Sequence, residues 1–143
     1  MFYGDSIQDT RKLFFSSWQK YSQKQPLQPL EKQLVAVIID HPEYHALLES
    51  PVGQNDQAYY PELGQTNPFL HMGLHLAIRE QLSTDRPAGI LEIHKKLLQK
   101  QADPLQVEHL MMECLAECLW QAQRNNSAPD DLSYLRSLAH CLD

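Results

Sequence analysis

No apolar run in this chain approaches the roughly 20 residues that a bilayer-spanning helix needs. The opening stretch, MFYGDSIQDTRKLFF, has no basic segment followed by an apolar one, so no secretory signal is expected. Positive charge is in deficit. The 12 Lys and Arg against 18 Asp and Glu leave a net charge of −6. Phosphate contacts need a basic surface, so nucleic acid is not an expected partner. No polybasic segment offers itself to a membrane surface either. Cysteine is scarce and odd in number, with only Cys114, Cys118 and Cys141. None forms a CxxC pair, so neither a disulfide framework nor a cysteine zinc site is expected. Small buried apolar residues in a reducing cytoplasm are the expectation instead. There is no G-x-S-x-G elbow, phosphate-binding loop or dinucleotide fingerprint. No Ser or Cys has a recognisable base placed for it, so no catalytic residue is assigned. Strand alternation, internal repeats and low-complexity tracts are also missing.

What the chain does have is length for one domain, 143 residues, with 43% hydrophobic residues to build a core. It also has proline at regular intervals. Pro29, Pro42, Pro68, Pro87, Pro104 and Pro129 each precede a helix-like stretch. Proline suits the first helical position, because its φ is already set and no helical N–H is lost there. Asn67 and Asp103 stand as caps before two of them, and Asp130 and Asp131 follow Pro129. Helices are predicted from about Ser6 to Ser22, from Pro29, near 68–83, 87–100, 104–124 and 129–141. Pro42 either starts a short helix or kinks the one before it. The polar stretch SPVGQNDQAYYPELGQTN makes a long loop at about 50–67, where Tyr59 and Tyr60 pack the loop down or cap a cavity. The expected fold is all-α: a single-domain helical bundle over 1–143, of five or six helices, most of them started by Pro.

Histidine is the unusual residue. Of seven, His41, His45, His71, His75 and His109 lie in the middle of the chain. In NPFLHMGLHLAIREQ, His71 and His75 are one turn apart. At 100° per residue they fall within about 60° of Ile78 and Leu82. That helix is apolar almost all round, so both imidazoles are expected to face other helices. On the run from Pro29, Leu30, Leu34, Val37, Ile38, His41, His45 and Leu48 share a stripe if Pro42 leaves the helix intact. If Pro42 breaks it, the two histidines need not share a face.

The helix from Pro104 carries VEHLMMECLAECLW. His109 and Glu113 are four apart, with Glu113 on the polar side and His109 on the flank. Glu108 points into the apolar arc beside Met112, Leu115 and Leu119. A buried carboxylate costs several kcal/mol unless it is paired, at about the level of an unmade ionic bond. Glu108 therefore needs a metal, an imidazolium or an arginine such as Arg79.

Transition metals take imidazole nitrogen and carboxylate oxygen at about 2.0–2.2 Å. Residues four apart on a helix can reach one ion, and two or three such helices make a cage. The candidate ligands are His41, His45, His71, His75 and His109 with Glu108 or Glu113, or with Glu31. Mixed N/O donors suit iron, zinc, nickel or manganese, in a mononuclear or dinuclear site. The pairs resemble the HxxxH and HxxxE helices of hemerythrin-like proteins, by analogy only, since helix order and full spacing do not match. The ExxH pairs of ferritin-like carboxylate proteins are absent. The competing expectation is a non-enzymatic structural or adaptor bundle, in which the histidines form a buried polar network that titrates near neutral pH. Broad apolar arcs on several helices would also suit a homo-oligomer.

The stretches LEKQLVAVIIDHPEYHALLE, QTNPFLHMGLHLAIREQLSTDRPAGI and VEHLMMECLAECLWQAQR resemble a family of small bacterial proteins, the domain of unknown function 1841. The likeness runs from the aromatic N-terminal segment to DDLSYLRSL. It implies a cytoplasmic, proteobacterial protein. It carries no activity, substrate or catalytic residue, so function rests on the residues themselves.

Overall fold

The computed structural model describes residues 7–50 and 66–143. Tyr59, Tyr60, most of the expected loop at 50–67, and Ser6 lie outside the described residues. Among the described residues there are seven α-helices and no strand. They are α1 (Ile7–Ser22), α2 (Pro29–Ile39), α3 (His45–Glu49), α4 (Pro68–Thr84), α5 (Ile90–Lys100), α6 (Pro104–Arg124) and α7 (Asp131–His140). A 3-10 turn, Pro42–Tyr44, joins α2 to α3. The class is the expected one, but seven helices replace the expected five or six. Pro42 is one reason: it ends the helical run from Pro29, which resumes only at His45.

The expectation that most helices start on proline needs correction. Pro29, Pro68 and Pro104 open α2, α4 and α6, whereas Pro87 and Pro129 lie upstream of α5 and α7. In each of those two a later residue fixes the start. Asp130 accepts from the backbone N–H groups of Leu132 and Ser133 at the head of α7. Gly89 adopts φ 101° before α5, a left-handed conformation that glycine takes without Cβ strain. There Asp85 Oδ1 accepts from the N–H groups of Gly89 and Leu91, at 3.3 and 3.1 Å. Asn67 and Asp103 act as the sequence suggests, accepting from Phe69 and Leu70 and from Leu105.

The chain forms two compact units, Met1–Leu76 and Ala77–Asp143, divided within α4. In the first unit, Phe14, Phe15 and Trp18 of α1 pack with Leu34, Val35, Val37 and Ile38 of α2, Leu48 of α3, and Phe69, Met72 and Leu76 of α4. Phe69 stands 5.9 Å from the Phe14 ring and 5.7 Å from Phe15, with the Arg11 guanidinium 4.9 Å over its own ring. Leu30, placed on the inward stripe by its spacing, is exposed because it sits in the first turn of α2. Glu31 does the work of a helix start, accepting from the Gln28 N–H at 2.8 Å and from Lys20 Nζ at 2.8 Å.

In the second unit α5, α6 and α7 pack against one another. Ile90, Leu97, Val107, Met111, Tyr134 and Leu138 are buried. Two polar ties lie among them. The Tyr134 hydroxyl donates to Gln81 Oε1 at 2.7 Å, and Arg79 Nε donates to Glu108 Oε1 at 3.0 Å. The second tie answers the question Glu108 raises from its place on the apolar arc: its partner is the arginine.

Candidate metal centre

The site begins with a broken helix. The carbonyls of the last helical turn lack intrahelical partners. Were α2 to continue, the His41 N–H would reach Val37 O. Pro42 disfavours helical geometry at the residue before it, and His41 sits at φ −127°, ψ 69°. Its N–H bonds to Ile38 O instead, at 2.9 Å. The Val37 carbonyl is taken over by the His41 side chain, through Nδ1 at 2.7 Å. His45, at the head of α3, does the same for Ile38, placing Nε2 2.8 Å from that carbonyl. Its ring lies against Trp18 at 4.6 Å. Both histidines of DHPEYH thus satisfy the end of α2, with opposite nitrogens.

The choice of nitrogen matters. A carbonyl only accepts, so His41 Nδ1 carries the proton, and the Nε2 of the neutral ring offers its lone pair. That Nε2 is buried and stands 3.1 Å from His75 Nε2. His75, fully buried on α4, holds the same Nε2 3.2 Å from His71 Nε2. The rings cross steeply. His41 meets His71 at 81° and His75 at 66°, and His71 meets His75 at 76°. Three Nε2 atoms from two segments therefore converge, with their rings fanned around one locus.

Proton counting constrains what neutral rings can do here. If His75 Nε2 bears a proton, it serves His41 Nε2 and His71 Nε2 only as a shared donor; if it bears the lone pair, it faces the His41 lone pair at 3.1 Å. A cation at the centre would engage the converging lone pairs together. The spacing fits an ion: nitrogens about 2.0–2.1 Å from one metal stand about 2.9 Å apart on an octahedral face and about 3.3 Å on a tetrahedral one. The donor atoms of His41, His71 and His75 all lie within 4.8 Å of one another. The Val37 carbonyl that orients His41 is the outer partner that metal-binding imidazoles commonly have.

Tyr44 is a neighbour the motif reading passed over. Its ring stacks on His41 at 5.5 Å and 6°, and meets His71 edge-on at 6.3 Å. Burial, and then the Glu43 carboxylate, raise its hydroxyl above the ordinary tyrosine value, so it stays protonated at neutral pH. Its place between the two histidines of HPEYH was the available signal.

The other sequence candidates are placed as follows. His45 is engaged with Ile38 and Trp18, and Glu31 with Lys20 and Gln28. Glu108 holds Arg79, and Glu113 is exposed on α6. His109 is half-buried on α6, in the second unit.

Among the described residues no helix is long and apolar enough to cross a membrane. No curated protein and no solved structure matches the chain. A family described as a domain of unknown function, DUF1841, matches residues 6–140, and the chain belongs to that family.

Proposed function

We propose that this is a metal-binding protein whose ion is held by Nε2 of His41, His71 and His75. The observation that carries the reading is the convergence of the Nε2 atoms at 3.1 and 3.2 Å in a buried setting. An all-imidazole set suits zinc, iron or nickel better than manganese, which prefers oxygen. An ion with one position left open would polarise a bound water or dioxygen, and that is the chemistry the site would offer. We also propose a bacterial cytoplasmic setting, where the three free thiols would stay reduced.

The test is metal analysis of untagged protein. About one equivalent of metal, lost in His75→Ala, supports the proposal. Protein that takes up no zinc, iron or nickel, and whose stability a chelator leaves unchanged, overturns it. A second reading rests on the same contacts. One additional proton shared among the three rings would also relieve them, giving a structural histidine network in an adaptor protein. That reading requires protein that stays metal-free when zinc, iron or nickel is offered.

A further inference from the structure

The second unit holds a chemistry that the histidine site does not use. Cys114 lies in the middle of α6 and Cys141 at the C-terminal cap of α7, and their sulfurs are 3.8 Å apart. This is van der Waals contact between two thiols from different helices, 27 positions apart in sequence. Cys118, one turn along α6 from Cys114, is turned elsewhere, its thiol 3.8 Å from the Asp130 carbonyl. All three cysteines are free and half-buried. We propose that Cys114 and Cys141 are a dithiol pair that a low-molecular-weight disulfide, such as oxidised glutathione, converts reversibly to a disulfide joining α6 to the end of α7.

The two thiols have different parts. Burial, and then the neighbouring Cys141 sulfur, push the Cys114 thiol up to about 12, so it is protonated and a poor first nucleophile. Burial also raises Cys118. Cys141, at the C-terminal cap of α7, is the proposed point of entry. Its thiolate attacks one sulfur of the oxidised glutathione, forms a mixed disulfide and expels one glutathione thiolate. Capping Cys141 removes its share of the upward push on Cys114. Cys114 then loses its proton to solvent and attacks Cys141 Sγ, and the second glutathione leaves. Two protein thiols are oxidised and one glutathione disulfide is reduced to two thiols. The C-terminal turn is held for this step: Lys100 Nζ donates to the carbonyls of Cys141 at 3.3 Å and Asp143 at 2.9 Å. Closing the bond needs the sulfurs to approach from 3.8 Å to about 2.05 Å.

The experiment treats the folded full chain with a millimolar glutathione couple and counts free thiols by Ellman's reagent with peptide mapping. The titre is expected to fall from three to one, with a Cys114–Cys141 peptide pair and an intact mass lower by about 2 Da. Dithiothreitol should restore three. Cys118→Ser should still lose two thiols, and Cys141→Ser should form no internal bond. An unchanged titre, a bond that uses Cys118, a disulfide between two chains, or a glutathione adduct that stays on Cys141 would each overturn the proposal. Wild-type peptide mapping decides the matter even if a variant fails to fold.

Discussion

His75 Nε2 stands 3.1 Å from His41 Nε2, although 34 positions separate the two residues along the chain. One ring comes from the interior of a regular helix and the other from a backbone break. The break aims the second ring, because a side-chain N–H replaces the main-chain N–H that Pro42 prevents from reaching Val37.

That relationship makes Pro42→Ala informative. Without the ring, α2 is free to continue through residue 41, the His41 backbone N–H recovers Val37 O, and the imidazole loses its tie. Metal affinity is expected to fall on the order of 10–100-fold, the usual cost of losing an orienting partner, while the far-ultraviolet circular dichroism gains a little helix. Isothermal titration with zinc or nickel measures the first effect. Unchanged affinity would mean that His41 does not depend on the break.

His75→Gln is the cleaner probe of the centre. Glutamine keeps a polar side chain of similar reach but offers no imidazole. In metal-loaded protein the variant is expected to lose the bound equivalent and the chelator-sensitive part of its melting temperature. In metal-free protein its stability should change less than in the loaded protein, since the loss of bound metal then plays no part. A drop in metal-free stability that equals the loaded one would point to packing instead.

Glu31 gives a pH signature in the first unit. The hydrogen bond from Lys20, then that from the Gln28 N–H, lower its carboxyl below the ordinary value of 4.5. The folded form therefore binds its proton more weakly than the unfolded one. The stabilisation is complete above about pH 4.5 and is lost as pH falls through the lower folded value. Denaturation midpoints measured from pH 6 to pH 3 should decline less steeply in Lys20→Met than in the parent. Parallel curves would show that the pair contributes nothing.

Arg79 and Glu108 form a partly sheltered ion pair, with side chains 30% and 14% exposed. Glu108→Ala should destabilise by about 1–2 kcal/mol, the range for a charge-assisted hydrogen bond reduced by solvent screening. The double variant with Arg79→Met should recover part of that loss in thermal denaturation. Strict additivity would show that the two side chains do not act on each other.

Helix identity was open to direct reading because it depends on local pattern. Apolar spacing, Asn67, Asp103 and Asp130 as caps, and Pro29, Pro68 and Pro104 as starts each act within a turn or two. The inward aim of His71 and His75 followed from the same periodicity. Glu108's need for a partner follows from its place on an apolar arc, and Arg79 is one of the partners that the sequence offers it. The true starts of α5 and α7 were less legible, since they turn on the backbone conformation of Gly89 and the side-chain geometry of Asp130 rather than on the prolines nearby.

The sequence by itself determined an all-helical chain, an interior histidine pair on α4 and a break at Pro42. Only the tertiary structure decided which ring nitrogens meet. His41 and His45 carry the same side chain four residues apart, yet one offers Nε2 to His75 and the other spends Nε2 on Ile38 O. The difference lies in which carbonyl at the end of α2 each ring reaches once the helix has ended. That depends on the path of the backbone through Pro42, which no helical periodicity encodes.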